Sequence, residues 1–231
     1  MTSRAEVLGA LSGVRDPELD EPITDLAFVS RLDINGDAVS VRLRLPTYFC
    51  APNFAYLMVA DAKAAVLSVP GVRRAQVVLD DHYASGEINT GVNEEEGFDG
   101  AFPGETESPD LEELRTVFRR KCFVARQEKL CRALLAGGYS PEKLAKMRLG
   151  EVPVYEAKEK YLSRREELGL DVSAEAPLMV DPEGNQIPKD AIVEHLRFAR
   201  ITRVSIEGNA GMCRGLLATR YGIPNPEEVT S

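Results

Sequence analysis

The chain has 231 residues, 44% of them hydrophobic and 28% charged, a composition typical of globular proteins with one large or two small cores. Its formal net charge of -9 argues against a general nucleic-acid binder, since such proteins present a basic face. No run approaches the roughly 18–20 apolar residues that cross a bilayer, and the N-terminus lacks the apolar centre of a signal peptide. We therefore expect a cytoplasmic protein that acts on neither nucleic acid nor membranes and keeps its four cysteines reduced.

Residues 1–90 predict a compact α+β domain in the order helix-strand-strand-helix-strand. Asn35-Gly36 is a strong hairpin signal between the first two strands. The second helix crosses between the second and third strands, so these two strands are expected to be parallel neighbours. The expected elements are a helix over residues 3–13, strands over 28–34 and 38–45, a helix from Cys50 to about Leu67, and a strand over 72–79.

Beyond this domain the composition changes. Residues 91–108 are acidic and rich in glycine, which predicts a linker or a functional loop. Residues 109–231 predict a mostly helical accessory region, so the fold class as a whole is α+β. Its expected helices cover residues 108–136, a short turn opened by Ser140, 155–168, 189–200 and 210–221, with a small β-turn excursion over 178–188.

Cys50 is the first candidate for chemistry. It directly precedes the long apolar helix, so its thiol would face the unpaired N–H groups and the positive dipole end of that helix, which favour a thiolate. The alternative role is a small buried hydrophobic residue, because free cysteine is among the most buried residue types. The residues alone leave both roles open.

Two other groups of polar residues are weaker candidates. An acidic, proline-containing loop offers oxygen ligands, although a solvated surface is the commoner outcome for such a loop. His82 stands beside Asp80 and Asp81, but it has no second His or Cys at ligand spacing, which favours a structural role. The loop carboxylates are Asp16, Glu18, Asp20, Glu21 and Asp25.

The remaining cysteines lie in the predicted helical region. Cys213 is in a segment rich in small residues, where Arg203 and Arg214 would favour a thiolate, although a close helix contact explains the glycines equally well. Cys122 and Cys131 are expected on opposite sides of one helix, so they are interpreted as packing residues.

Several enzyme classes find no support. The chain has no phosphate-binding Gly-x-x-x-x-Gly-Lys loop, no Gly-x-Gly-x-x-Gly fingerprint and no Gly-x-Ser-x-Gly motif. Two histidines are too few for a multi-His metal centre. The sequence favours a protein that binds or delivers something over an enzyme.

An ordered set of motifs in residues 1–90 resembles the SufT/PaaD-like iron–sulfur cluster assembly family. The set comprises Asp16-Pro17-Glu18-Leu19, Ile23-Thr24-Asp25-Leu26, two strands, Thr47-x-x-Cys50, a long helix and a strand from Gly71-Val72. The resemblance implies a small, often dimeric α+β domain that assists the maturation of iron–sulfur or other metalloproteins. Its one reactive cysteine corresponds to Cys50, with Asp16 and Asp25 nearby.

The chain departs from the family pattern at two positions. The family usually has proline directly after the cysteine, whereas Ala51 precedes Pro52 here. It usually has glycine after Asp-Leu, whereas this chain has Ala27.

Taken with the resemblance, these residues predict a metalloprotein maturation factor rather than an enzyme. Cys50 would be the metal ligand and Asp16, Glu18, Asp25 and Thr47 would form the pocket. His82 and Cys213 are the weaker alternatives as ligands, and the helical region would dock the client metalloprotein.

Cysteine counting limits what such a site can hold. Iron–sulfur clusters normally take four thiolates, and Cys50 supplies one per chain or two in a homodimer. We therefore expect a transient iron–sulfur cluster or iron and nothing stably bound. The alternative hypothesis is a non-catalytic assembly chaperone, or an accessory subunit of a multicomponent oxygenase, in which Cys50 is only structural.

Overall fold

The computed structural model describes residues 2–104 and 111–223. The chain forms two compact units, the first from Met1–Glu113 with Asn209–Ser231 and the second from Leu114–Gly208. The elements are α1 (Arg4–Leu11), β1 (Val29–Asn35), β2 (Ala38–Arg44), α2 (Pro52–Leu67), β3 (Arg74–Asp80), α3 (Ser85–Asn93), α4 (Gly97–Ala101), α5 (Glu112–Ala136), α6 (Pro141–Leu144), α7 (Glu156–Glu167) and α8 (Ile192–Tyr221), with 3-10 turns at Leu149–Glu151 and Lys189–Ala191.

The first unit contains a three-stranded sheet in the order β1-β2-β3. The β1–β2 hairpin closes at the Asn35–Ala38 pair, and Gly36 adopts a φ of 63° in its turn, as the Asn-Gly signal predicts. Strands β2 and β3 are parallel, with Val41 opposite Val77. The predicted α+β fold and the predicted parallel pairing are both confirmed.

Helix α2 covers one face of this sheet. It begins with Pro52 in its first turn, where proline costs no hydrogen bond, and it ends before the Pro70-Gly71 pair. Its buried residues, Ala55 and Val59 among them, pack with inward side chains of the strands such as Val41 and Val77, which are all fully buried. This packing fixes where β2 ends and α2 begins.

The polar stretch after β3 is helical rather than an open loop. Helices α3 and α4 occupy most of residues 85–101 and so extend into residues 91–108, where the sequence predicts a linker or a functional loop. Asn89 and Asn93 explain why: their side-chain amides pair with the N–H and C=O groups of Leu79 and Val77. These contacts cover the free edge of β3, which would otherwise present unpaired backbone groups.

The second unit is mainly helical. Its core includes Phe123, Leu134, Tyr161 and Leu178, all fully buried. The buried Gln127 donates to the Tyr161 hydroxyl at 2.8 Å, and that hydroxyl donates to the Leu178 carbonyl at 2.8 Å. The predicted turn over residues 178–188 appears as a bridge between Val180 and Gln186.

The C-terminal helix is longer than the sequence predicts. The sequence predicts separate helices over residues 189–200 and 210–221, which is wrong, because α8 runs unbroken from Ile192 to Tyr221. Glycine costs only about 1 kcal/mol in a helix interior, so Gly208 and Gly211 do not end it. The predicted helix start at residue 108 lies outside the described residues. Within the described ranges, no helix is both long and apolar enough to cross a bilayer.

Candidate functional site

Cys50 lies in the turn between β2 and α2, two residues before the first residue of α2. Its side chain is partly buried and its thiol is free. The buried Leu45 and Pro46 anchor the start of the turn, whereas Phe49 projects outward with 76% of its surface exposed. The fold thus presents one thiol at the sheet edge where a helix begins.

Thr47 contacts the sulfur directly. Its Oγ1 is 3.3 Å from Cys50 Sγ, and the same oxygen accepts a hydrogen bond from the Phe49 N–H. Because that oxygen already accepts from the backbone, its own proton is available to the sulfur. The predicted pocket residue Thr47 is therefore brought to Cys50 and is placed to donate to a thiolate.

His82 fixes the backbone of the same turn from the loop after β3. The Ala84 N–H donates to its Nδ1 at 3.2 Å, so the ring proton resides on Nε2, which donates to the Cys50 carbonyl at 2.8 Å. Burial, assisted by the positive charge of Arg220, lowers the pKa of His82 and favours this neutral form. Both ring nitrogens are thus engaged, and His82 positions Cys50 rather than facing a metal.

An exposed aromatic cluster borders the thiol. It consists of Tyr48, Phe49 and Tyr83, and the ring centroids of Tyr48 and Phe49 are 5.0 Å apart. Phe49 and Tyr83 lie 5.9 Å apart, and the Tyr83 N–H donates to the Tyr48 carbonyl. Large apolar side chains grouped at the surface are typical of contact sites.

The acidic loop separates into buried and exposed carboxylates. Asp16 is only 8% exposed, and its Oδ1 accepts from the N–H groups of Glu18 and Leu19. Burial, reinforced by the negative charges of Glu18 and Glu21, raises the pKa of Asp16 to about 6. Asp25 is exposed, and its described side-chain hydrogen bond is with Thr24. The structure therefore places Asp16 inside the unit and Asp25 at its surface.

The C-terminal part of α8, from Asn209 onward, belongs to the first unit. It contacts the acidic loop at one end and the ends of β2 and β3 at the other. At one end, Asn209 hydrogen-bonds Glu18 at 3.2 Å and Arg214 pairs with Glu21 at 2.7 Å. At the other end, Arg220 donates to the backbone carbonyls of Leu45 and Asp81. These last two carbonyls follow β2 and β3, so one guanidinium joins the ends of both strands.

Cys213 lies between those two sets of contacts and is partly buried. Burial raises the pKa of its thiol to about 11, and the nearby Asp16, Cys50 and Glu18 raise it further. The structure therefore brings Cys213, Asp16 and Cys50 into one electrostatic neighbourhood. Of the two arginines expected from sequence to favour a Cys213 thiolate, Arg214 does lower the pKa of Cys213, but less than burial raises it, and it also pairs with Glu21. Arg203 pairs with Glu128 and Glu207.

The other two cysteines belong to the second unit. Cys122 and Cys131 are both buried, and burial raises the pKa of Cys131 to about 12. Their placement agrees with the packing role predicted for them. Among residues 2–104 and 111–223, no group of three or more His, Cys, Asp and Glu side chains is arranged to hold a metal ion.

The sequence analysis did not predict the roles of His82 and Arg220. The role of His82 could have been predicted from the parallel pairing of β2 and β3. Parallel strands present their carboxyl ends at one edge, and Arg44 pairs with Asp80 in the β2–β3 register. The turn holding Cys50 and the loop holding His82 must therefore leave the sheet side by side. Nothing in the sequence indicated that Arg220 returns to this edge.

Comparison with known proteins gives matches in the N-terminal part of the chain. The family model described as iron-sulfur cluster assembly protein matches residues 4–78. An iron-sulfur cluster carrier protein from Deinococcus radiodurans is 37% identical over 71 residues, which are 31% of this chain and 20% of that protein. An uncharacterized protein from Methanocaldococcus jannaschii is 32% identical over 98 residues, which are 42% of this chain and 100% of that protein. No solved structure gives a significant match.

Proposed function

Because the chain belongs, through its N-terminal domain, to the iron–sulfur cluster assembly protein family, we propose that it is a maturation factor for a client metalloprotein. In this proposal Cys50 receives iron or an iron–sulfur cluster and passes it to the client. The observation that carries the proposal is the Cys50 turn itself, in which a partly exposed sulfur lies 3.3 Å from the Thr47 hydroxyl.

The turn has the features that transfer requires. The His82 ring holds the Cys50 carbonyl, so the backbone stays fixed while the sulfur exchanges partners. The Thr47 hydroxyl donates to the thiolate that remains when the cargo leaves. Since the described residues of one chain offer no three-ligand metal group, further ligands must come from another protein, and a client with a complete ligand set can remove the cargo.

The exposed aromatic cluster would bring the client to the thiol. Tyr48, Phe49 and Tyr83 are between 47% and 76% exposed, and Phe49 directly precedes Cys50. Burying such rings drives protein association, and aromatic side chains are enriched where binding energy concentrates. Docking here would place client ligands next to the cargo.

Anaerobic reconstitution tests the proposal. Reduced protein is incubated with ferrous iron and sulfide, its bound iron and sulfide are measured, and transfer to a model acceptor, apo-aconitase, is followed by the recovery of aconitase activity. We expect wild type to load and transfer, and Cys50→Ala to lose both. The matched control is Cys122→Ala, which removes a buried thiol from the second unit and should leave loading unchanged. Equal loading of wild type and Cys50→Ala would refute the thiol mechanism.

A second function, that of a non-catalytic assembly chaperone or accessory oxygenase subunit, is favoured by a different observation. Helix α8 exposes Phe198, Ile201 and Val204, each more than half exposed, on a helix face that could hold a partner. This function needs no thiol. It predicts that Cys50→Ala still raises the yield of active client when the two proteins are co-expressed.

A further inference from the structure

The C-terminal part of α8 places a second partly exposed cysteine, Cys213, in the unit that holds Cys50. Residues before and after Cys213 are held by different parts of the first unit, through Asn209 to Glu18 and through Arg220 to the carbonyls of Leu45 and Asp81. Tyr221 adds a third contact, since the Arg44 guanidinium lies 4.6 Å from its ring centroid. The intervening helical turns must therefore cross the region between the acidic loop and the ends of β2 and β3.

Cys213 is on the side of the helix that faces this region. The anchoring residues Asn209 and Arg220 and the buried Leu217 lie four, seven and four positions from it, which are spacings that share one helix face. Met212, which is turned about 100° from Cys213 around the helix, is 60% exposed and lies toward solvent. Consistent with this direction, Cys213 interacts electrostatically with Cys50, Asp16 and Glu18.

A third group lies with the two sulfurs. Asp16 is more than nine-tenths buried, and its described side-chain hydrogen bonds all end on Oδ1. Cys50 and Cys213, both partly open to solvent, are sulfur donors that suit a soft or borderline metal cation, and the described residues of one chain add no third ligand to them.

We propose that Cys213 is a second ligand beside Cys50, so that each chain provides a two-thiolate half-site and two copies of the chain together hold one iron–sulfur cluster. This inference rests on the proposed function. Four thiolates complete the usual ligand set of a cluster, and two copies supply four.

Ligand binding at the half-site is an exchange of protons for metal. Each thiol loses its proton and donates a sulfur lone pair, so one divalent ion bound by Cys50 and Cys213 releases two protons and changes no oxidation state. Cobalt(II) is a suitable probe, because its thiolate charge-transfer absorption grows with the number of bound sulfurs.

The first experiment titrates the reduced full-length protein with cobalt(II) under nitrogen. We expect the charge-transfer absorbance at saturation to fall to about half in Cys213→Ala, and cobalt affinity to fall by more than the roughly 10–100-fold that loss of an outer-shell partner costs. Cys213→Ser keeps the side-chain size and should show the same losses of absorbance and affinity as Cys213→Ala. Agreement between the two variants separates the loss of a ligand from a packing defect. Cys122→Ala is the control. Unchanged absorbance in both Cys213 variants overturns the assignment.

The second experiment measures stoichiometry after reconstitution with iron and sulfide, by native mass spectrometry. We expect one cluster per two chains in wild type and no clustered dimer in Cys213→Ala or Cys50→Ala. A cluster carried by a single chain, or a clustered dimer that survives Cys213→Ala, overturns the proposal. Loss of loading in Cys50→Ala with full loading in Cys213→Ala would refute this inference while leaving the proposed function intact. Full loading in both variants would refute both.

Discussion

Ala27 occupies a backbone conformation that favours glycine. Its φ is 57°, in the turn where the Phe28 N–H closes onto the Ile23 carbonyl at 2.9 Å. The left-handed conformation costs a non-glycine residue about 1–2 kcal/mol. This explains why the resembling family usually has glycine here, and it shows that the departure at Ala27 leaves the turn itself in place.

We therefore predict that Ala27→Gly stabilises the protein. The gain should be about 0.5–1 kcal/mol, since relief of the strain is partly offset by the greater freedom of glycine in the unfolded chain. Urea unfolding followed by circular dichroism measures it. As a control, Ala64→Gly in the exposed interior of α2 should destabilise by about 1 kcal/mol. A loss of stability in Ala27→Gly would contradict the explanation.

The buried carboxylate of Asp16 makes stability depend on pH. Its pKa is raised from 3.8 to about 6, first by burial and then by its acidic neighbours. The folded state therefore binds a proton that the unfolded state has released between those two values, so the contribution of Asp16 to stability falls as pH rises from about 4 to about 6. A carboxylate that is costly to ionise is more typical of functional sites than of ordinary cores.

Asp16→Asn isolates this effect, because its amide oxygen can still accept from the Glu18 and Leu19 N–H groups. We expect the variant to gain stability relative to wild type as pH rises, by on the order of 1–3 kcal/mol between about pH 4 and about pH 7.5. Urea unfolding of both proteins at the two pH values gives the difference. A difference that does not change with pH would show that Asp16 is not buried as an acid.

At the scale of elements, hydrophobic periodicity and turn signals predicted the N-terminal domain well. The hairpin at Asn35-Gly36, the crossover helix ending at Leu67 and the parallel strands all follow from local patterns. Helix α3 was not predicted. Its Asn89 and Asn93 side chains hydrogen-bond to the backbone at the edge of β3, and a polar helix stabilised in this way shows no hydrophobic periodicity in its sequence. The C-terminal end of α8 also escaped prediction, since its position depends on contacts with residues far away in sequence.

Arg220 should be the main anchor of that helix end. It donates through its two terminal nitrogens to the Leu45 carbonyl at 3.2 Å and to the Asp81 carbonyl at 2.7 Å, and lysine lacks this planar fork of two donor nitrogens. We predict that Arg220→Ala increases amide exchange in residues 209–221 and raises the alkylation rate of Cys213 by about 5–10-fold, equivalent to about 1–1.4 kcal/mol of easier local opening.

Arg220→Lys should fall between wild type and Arg220→Ala. Arg31→Ala serves as the matched control, because Arg31 forms an exposed pair with Asp33 away from α8. Hydrogen exchange and peptide mass spectrometry after alkylation provide the two measurements. If Arg220→Ala leaves both unchanged, the helix end is held by its other contacts.

At the scale of the whole molecule, the four cysteines divide evenly between the two units. Cys50 and Cys213 belong to the first unit and are partly exposed, whereas Cys122 and Cys131 are buried in the second. A cysteine reacts as its thiolate, and it reacts only where the reagent can reach the sulfur. The chain therefore carries its own reporter for each unit: two thiols for the candidate site and two for the helical core.

We predict that a disulfide reagent such as DTNB titrates two thiols in the native protein and two more only after unfolding in urea. Cys50 should react before Cys213, whose pKa is raised to about 11. Leu178→Ala, which empties a fully buried position of the second unit, should destabilise that core by about 2–5 kcal/mol. Release of the last two thiols should then move to lower urea, while the two early thiols keep their native rates. Faster reaction of Cys50 in this variant would instead mean that the helical core supports the candidate site.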